Sequence, residues 1–427
     1  MDASANSDAA PPSRRLAVFL CALPACYFLV VAGYAVWNHA AYASDLPRFL
    51  RYVAGPALVA LLLIGAAYRM SAKRGAYLGL TATATLAALF LVELVLSARL
   101  LFAMAGMLSL LGANDNANGE IARGHGGLPP MYTSKQVSTQ LSVEQLDEAI
   151  LGGLPASEVL LCAHNGEPLF YTADRFGFNN DDSIYDTPLD IVMVGDSFVE
   201  GHCQPSQDTL VGRLRTTHPN SAGFGMRAGG PLLELAFIGR YAARLEPDYV
   251  IMAFFEGNDW NNLRREAATP WLREALDADA DFGPMELSEQ QVEATSGIIE
   301  GWWETQVSQG DIFFKSSVLR NVIALNEVWG LLGLDYPRVA PEQPVYEDVL
   351  ARARELTESW GGQFVLLYIP VDARYRGLLD KSFVYDRLRN QVLEAATANG
   401  IDVIDLAEEF ANLEDPTAFY APDAHFN

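Results

Sequence analysis

The feature that most constrains this fold is the concentration of apolar residues in the first quarter of the chain. Three apolar runs lie within residues 15–112, at residues 16–37, 53–68 and 76–98, and only short connections separate them. About 20 consecutive apolar residues are needed to cross the hydrocarbon core of a bilayer. The sequence therefore predicts three transmembrane helices followed by a water-soluble part.

Basic residues predict the orientation of these helices. One basic cluster precedes the first run and another fills the second connection, and they consist of Arg14 and Arg15, and of Arg69, Lys73 and Arg74. Positive residues accumulate on the cytoplasmic side of membrane proteins. We therefore expect residues 1–14 to be cytoplasmic, and three crossings then place the chain from residue 113 onward outside the cytoplasm.

Two features of the apolar segment admit other interpretations. The sequence "LPAC" at residues 23–26 resembles a lipoprotein cleavage site, but the apolar run continues for eleven residues beyond Cys26, where a cleaved signal would have ended. Glu93 lies inside the third run, and an acid within a membrane span is a candidate functional group. Because no second ionisable residue shares its depth, we expect Glu93 to face another helix or to pair with Arg99.

The net charge differs sharply between the two parts of the chain. The whole chain carries −24 and residues 1–112 carry +4, which leaves −28 on residues 113–427. A surface this acidic repels phosphate backbones, so a nucleic-acid partner is not expected. The lipid bilayer is the partner that the apolar helices indicate.

The outer part begins with a linker and lead-in segment at residues 113–187, and a domain at residues 188–427 follows. In that domain, continuous apolar runs alternate with amphipathic helical patterns, which is typical of an α/β fold with a parallel sheet covered by helices on both faces. Residues 262–345 interrupt the alternation. They are acidic and rich in tryptophan, and we interpret them as a mostly helical insertion beside the functional edge of the sheet.

Ser197 is the candidate nucleophile of this domain. It follows the apolar run "IVMVGD", so its hydroxyl is expected at the carboxyl edge of the sheet, where α/β proteins form their sites. A serine nucleophile needs a base, a group that orients the base, and donors for the oxyanion. Of the six histidines, His425 fits best because Asp423, two residues earlier, can orient its imidazole, whereas His202 has no obvious carboxylate beyond Glu200.

Two loops after predicted strands offer oxyanion donors. Residues 223–231, "GFGMRAGGP", are rich in glycine, which lets backbone N–H groups approach a substrate. Residues 254–262 contain Asn258, whose side-chain amide is a donor on the same edge.

These motifs together resemble the four sequence blocks of the SGNH/GDSL hydrolase superfamily, over about residues 170–427. The blocks are Gly195-Asp196-Ser197, the glycine-rich loop, Gly257-Asn258-Asp259 and Asp423-x-His425. The lead-in Asp174, Gly177, Phe178 and Asn180 resembles bacterial membrane-anchored members. Relatives carry a glycine as oxyanion donor in the second block, and here Ala228 stands at that position with Gly229 beside it.

The resemblance implies a flavodoxin-like sheet and ester hydrolysis without metal or cofactor. Ser197 would be the nucleophile, His425 the base, Asp423 its orienting group, and Ser197, Ala228, Gly229 and Asn258 the oxyanion hole. The implied substrate is an acyl ester, for which an acylated glycan is one candidate. Two alternatives stay open: an O-acetyltransferase acting on an envelope or secreted polysaccharide, and a glycan-binding scaffold that keeps the fold.

The cysteines divide between the two parts of the chain. Cys21 and Cys26 fall in the first apolar run, while Cys162 and Cys203 are the two in the outer part. Outside the cytoplasm an even pair favours a disulfide. The alternative is a metal site formed by Glu200, His202 and Cys203, but zinc sites usually need a fourth ligand at recognisable spacing. We predict the Cys162–Cys203 disulfide.

Overall fold

The computed structural model describes residues 12–39, 43, 46–112, 132–164, 167–304, 316–333, 340–379, 381–421 and 424–426. The chain divides into two compact units. The first contains residues 1–101 and 313–329, and the second contains residues 102–312 and 330–427. A segment of the insertion thus groups with the apolar N-terminal helices.

The first unit is built from helices, namely α1 (Arg14–Trp37), α2 (Leu46–Phe49), α3 (Gly55–Arg69) and α4 (Ala72–Gly112). A π-helical turn, Leu50–Ala54, leads into α3. Three helical stretches, Arg14–Trp37, Leu50–Arg69 and Ala72–Arg99, are long and apolar enough to cross a membrane. Within the described residues, the number of helices that could cross a membrane agrees with the three predicted spans.

Small residues let α1 and α4 approach closely. A Cβ at Gly79 would lie 2.8 Å from the backbone nitrogen of Cys21, and the Cys21 thiol donates to the Gly75 carbonyl at 3.4 Å. Ala17 packs on the same side of α1, 3.4 Å from where a Cβ at Gly75 would lie. Close backbone approach through small residues is how membrane helices associate without a hydrophobic driving force. Cys21 therefore acts as a small packing residue.

The second unit is organised around a sheet of five parallel strands. A separate antiparallel hairpin precedes it, and the strands are β1 (Glu158–His164), β2 (Glu167–Thr172), β3 (Ile191–Gly195), β4 (Ser221–Gly225), β5 (Tyr249–Phe255), β6 (Gln363–Ile369) and β7 (Asp402–Asp405). The order in the sheet is β4-β3-β5-β6-β7, and all pairs are parallel. From β3 the chain adds β4 on one side and later β5 on the other, so the order of the strands switches between β3 and β5. Parallel α/β sheets bind ligands at the carboxyl edge beside such a switch point.

Helices cover both faces of this sheet, as the sequence predicts. The remaining helices are α5 (Ser134–Gln140), α6 (Ser197–Glu200), α7 (Leu210–Leu214), α8 (Pro231–Phe237), α9 (Ala243–Leu245), α10 (Asp259–Glu266), α11 (Pro270–Arg273), α12 (Glu289–Glu304), α13 (Ser316–Ile323), α14 (Asn326–Leu332), α15 (Val345–Ser359), α16 (Ser382–Ala398) and α17 (Leu406–Phe410). On one face, Met193, Phe255 and Ile369 pack against α6, α7 and α16. On the other face, α8 contacts β3 and β5, and α15 contacts β6, where Phe254 meets Tyr346.

The lead-in motif serves to hold β4. The Asp174 carboxylate accepts backbone N–H groups from Phe176 and Phe178 at 2.8 and 2.9 Å, and it accepts the Asn180 amide at 2.8 Å. Asn180 in turn pairs with both backbone groups of Gly223, each at 2.9 Å. The Asn180 side chain therefore continues the hydrogen bonding of the sheet beyond β4, which orders the strand that leads into the glycine-rich loop.

The predicted disulfide is present. Cys162 and Cys203 are bonded, with their Cα atoms 5.3 Å apart. This bond ties β1 to the turn that follows α6. Because the Cys203 sulfur is bonded to Cys162, it is not a thiolate, and the alternative metal site with Glu200 and His202 is wrong.

Candidate active site

Ser197 lies at the carboxyl end of β3, where the chain turns sharply into α6. The Asp196 carboxylate accepts the Phe198 N–H at 2.9 Å and so caps the helix that Ser197 begins. The turn needs glycine before it, since a Cβ at Gly195 would lie 2.4 Å from the Val199 side chain. Gly225 at the end of β4 is equally required, because its Cβ would lie 2.1 Å from the Glu200 nitrogen. The two strand ends thereby hold Ser197 close to the second loop.

His425 meets Ser197 at this edge. The Ser197 Oγ and the His425 Nε2 are 2.9 Å apart, within hydrogen-bonding distance, although 228 residues separate them in sequence. The loop that carries the imidazole is fixed on either side. Tyr420 donates to the Pro370 carbonyl at 2.6 Å, and Gln204 donates to the Phe426 carbonyl at 2.7 Å. The Phe426 ring also packs on Phe198, with centroids 5.0 Å apart.

Asp423, the predicted orienting group, lies outside the described residues. His202 was set aside as the base, yet the structure brings it to the site. The ring centroid of His202 lies 4.4 Å from that of His425, and the ring centroid of Phe198 lies 5.0 Å from that of His425. The imidazole of His425 therefore contacts side chains of the helix that begins at Ser197 and of the turn after it. A His five residues after the nucleophile gave no sequence signal for this packing role.

Of the four predicted oxyanion donors, Ser197 follows β3 itself, while Ala228, Gly229 and Asn258 lie in the loops after the two strands that flank β3. The Gly229 N–H donates to the Met226 carbonyl at 2.9 Å, which leaves Ala228 as the candidate donor of this loop. The Met226 N–H donates to the Gly195 carbonyl at 3.0 Å and so joins the loop to the end of β3. Asn258 follows β5 and begins α10. Strands β4, β3 and β5 are adjacent, so the candidate donors flank Ser197 on both sides.

Three residues around this edge adopt left-handed backbone conformations that only glycine adopts without strain. Their φ angles are 60° at Cys203, 55° at Ala228 and 70° at Ala424. Such conformations each cost about 1–3 kcal/mol and gather at functional sites, where the surrounding structure maintains them. Cys203 is held by its disulfide, and Ala424 directly precedes His425.

A buried ion pair joins α6, the helix that Ser197 begins, to the glycine-rich loop. The Glu200 carboxylate binds the Arg227 guanidinium, accepts the Arg227 backbone N–H at 3.1 Å, and accepts the Tyr171 hydroxyl at 3.4 Å. The side chains of Arg227 and Glu200 are only 7% and 1% exposed. Because Arg227 immediately precedes Ala228, this pair fixes the position of the candidate oxyanion donor relative to Ser197.

A second buried ion pair fixes the loop after β5. Glu256, which precedes Gly257 and Asn258, binds Arg374 and accepts the Val371 N–H at 3.1 Å. The Tyr368 hydroxyl also donates to Glu256. The two pairs hold the loops after β4 and β5 to their neighbours by charge-assisted hydrogen bonds. Sequence reasoning predicted neither ion pair, since it considered Glu200 only as a partner of His202 or as a metal ligand, and nothing in the local pattern marks the four charged residues as buried.

Besides the ion-paired Glu200, four more carboxyl groups are buried near the turn at Ser197, namely Asp196, Glu234, Asp259 and Glu266. Burial raises the pKa of each. For Asp196 the rise is opposed by the Phe198 N–H, by the nearby His425 and by the Asn258 amide. Glu266 caps α8 from α10 by accepting the Leu232 N–H at 3.1 Å, and its pKa is raised to about 7.

The raised pKa of Glu266 predicts that stability falls as the pH rises from about 4.5 to about 7. A carboxyl group whose pKa is higher in the folded state binds its proton more tightly there, so ionisation opposes folding between the ordinary pKa of 4.5 and about 7. Over that interval the free energy of unfolding is expected to fall by about 3 kcal/mol from this group alone. The Glu266→Gln variant is expected to lose this part of the pH dependence, as measured by pulse proteolysis in urea on the full-length protein at pH 5, 6, 7 and 8.

The control is Glu394→Gln on the exposed side of α16. It is expected to leave the pH profile of the wild type unchanged. A Glu266→Gln profile that parallels the wild type across the whole range would contradict a folded-state pKa near 7.

Among the residues that the structure describes, no three His, Cys, Asp or Glu side chains are arranged to hold a metal ion. What the site brings together is a serine hydroxyl, an imidazole and flanking donors, at the switch point of a parallel sheet. No family model, no curated protein and no solved structure matches the chain. The function must therefore be inferred from the geometry of the site itself.

Proposed function

We propose that the chain is a membrane-anchored serine esterase of the SGNH type, with its catalytic unit outside the cytoplasm. The observation that carries this proposal is the 2.9 Å contact between Ser197 Oγ and His425 Nε2 at the carboxyl edge of the sheet. A buried serine and a distant histidine meet there at the distance that proton transfer needs. The order of the five strands, with the second outside the first, is that of flavodoxin-like folds, which bind ligands at this edge.

The proposed reaction begins with attack of Ser197 Oγ on the carbonyl carbon of an acyl ester. The hydroxyl proton passes to His425 Nε2, and the carbonyl oxygen becomes an oxyanion. The N–H groups of Ser197 and Ala228 and the Asn258 amide stabilise that oxyanion. Collapse of the intermediate breaks the ester bond, and the leaving alkoxide takes the proton from His425. Water then repeats the sequence on the acyl-serine and restores the free hydroxyl.

The location outside the cytoplasm is supported by two independent features. The basic clusters favour an N-terminus inside the cytoplasm, from which three spans would lead outside. The Cys162–Cys203 disulfide belongs to an oxidising compartment. Asp423 remains the proposed orienting group of His425.

Phosphonate labelling tests the proposal without knowledge of the substrate. The full-length protein in detergent is incubated with a fluorophosphonate, which reacts with activated serine hydroxyls, and the modified residue is mapped by mass spectrometry. We expect one label on Ser197, and no label on the Ser197→Ala or His425→Ala variants. Labelling of a different serine, or no labelling of folded wild-type protein, would overturn the proposal.

A further inference from the structure

One segment of the insertion belongs with the membrane helices. Residues 313–329 lie between β5 and β6 in the sequence, yet they cluster with residues 1–101. The described part of this segment comprises α13 and the first residues of α14. The chain therefore leaves the catalytic unit, joins the membrane unit, and returns.

The intramembrane acid Glu93 holds this segment. The Glu93 carboxylate is fully buried and accepts the backbone N–H groups of Glu327 at 3.2 Å and Val328 at 2.9 Å. Ser97, one turn further along α4, donates to it at 3.3 Å. The first N–H groups of a helix have no partner within the helix, and a carboxylate among apolar groups is costly unless it is hydrogen-bonded. The Glu93 carboxylate therefore supplies the acceptor that these N–H groups need, and the N–H groups supply hydrogen bonds to the buried carboxylate.

The other spans contribute one contact each. The Tyr27 hydroxyl on α1 donates to the Ile323 carbonyl at 3.0 Å. Before α3, the Arg51 guanidinium lies 5.9 Å from the centre of the Trp329 ring. Leu325, between α13 and α14, is buried. All three membrane helices therefore share in holding the segment.

The depth of these contacts is given by the position of Glu93. It precedes Arg99, the last residue of the third span, by six residues, which corresponds to about 9 Å along the helix axis. The start of α14 thus lies at the level of the hydrocarbon region rather than beyond it. At that level the segment presents exposed apolar side chains, namely Leu319, Ile323 and Trp329.

We propose that residues 316–329 are a membrane-inserted hairpin that contacts lipid acyl chains through Leu319, Ile323 and Trp329 and is held in place by Glu93. Apolar side chains exposed at this depth meet hydrocarbon, as the exposed leucines of the three spans do. The insertion then anchors the catalytic unit to the bilayer at a second point in the sequence, separate from the linker after α4.

Spin labelling in phosphatidylcholine nanodiscs tests the lipid contact. The full-length chain carries Cys21→Ala and Cys26→Ala, which leaves only the disulfide-bonded cysteines, and a nitroxide is attached at Leu319→Cys. References are Leu62→Cys on the second span, whose side chain is 63% exposed as against 62% for Leu319, and Leu413→Cys in the catalytic unit. We expect collision rates with oxygen and a nickel chelate at position 319 to match those at position 62. Rates that match position 413 would overturn the lipid contact.

The role of Glu93 is tested by the same label. In Glu93→Leu the acceptor oxygens are lost, and the nickel-chelate accessibility at position 319 is expected to shift from the value at position 62 to that at position 413. The label at position 62 is expected to stay unchanged, which shows that the spans are intact. If the label at position 62 also changes in Glu93→Leu, the same two labels are compared in Glu93→Gln, which keeps the side-chain volume and removes one acceptor oxygen. An unchanged label at position 319 would overturn the role of Glu93. No readout depends on ester hydrolysis.

Discussion

Exchanging His425 for alanine is expected to lower kcat/KM for a short-chain aryl ester by about 10⁴- to 10⁶-fold. The reason is that His425 Nε2 is the basic atom 2.9 Å from the Ser197 hydroxyl, and without it the nucleophile keeps its proton. The Ser197→Ala variant is expected to lose a similar factor. The double variant is expected to be no slower than either single variant, because residues that act as one unit lose their effect together.

The matched control for this prediction is His202→Ala. Its ring lies 4.4 Å from the ring of His425, so the variant perturbs the packing of the base without removing the base. We expect a loss of about tenfold or less, consistent with a change in positioning. A larger loss in His202→Ala than in His425→Ala would transfer the role of base to His202. Multiplicative losses in the Ser197 and His425 double variant would indicate that the two residues do not act together.

The core of the fold was predictable because its signals are local. The run "YVIMAFF" predicts the strand that the structure has at Tyr249–Phe255, and the run after Gln363 predicts β6. Short continuous apolar runs that alternate with amphipathic helical patterns are typical of strands buried between two layers of helices. Ser197 was predictable because it directly follows an apolar run, and His425 was predictable as its partner because Asp423 lies two residues before it.

The parts that could not be predicted depend on tertiary contacts between residues with ordinary local patterns. Charged residues are usually exposed to solvent, and nothing in the local sequence sets apart Glu200, Arg227, Glu256 and Arg374. Only the assembled sheet buries them. The sequence does not predict α13 and α14 as membrane elements, for a different reason. These helices have eight and seven residues, far below the length that a span requires, so no hydropathy window identifies them.

Breaking the Glu200–Arg227 pair is expected to produce the largest change in stability. Arg227→Met leaves the Glu200 carboxylate buried without its counter-charge, and removal of one partner from a buried pair costs about 3–5 kcal/mol. The double variant Glu200→Gln/Arg227→Met removes both charges while the Gln oxygen still accepts the backbone N–H of residue 227. It is expected to recover most of the loss, because no uncompensated charge remains. Pulse proteolysis of the full-length protein in urea measures both.

The control pair is Asp208–Arg213, which lies on the surface of the same unit. Arg213→Met is expected to cost about 1 kcal/mol or less, since exposed pairs gain little over solvation. If Arg227→Met cost no more than Arg213→Met, burial would not govern the pair. If the double variant were as unstable as Arg227→Met alone, the Arg227 side chain would contribute to stability through packing against Tyr171 and α6 rather than through its charge. Only recovery in the double variant, with a small effect at Arg213, supports a loop held to α6 by a buried ion pair.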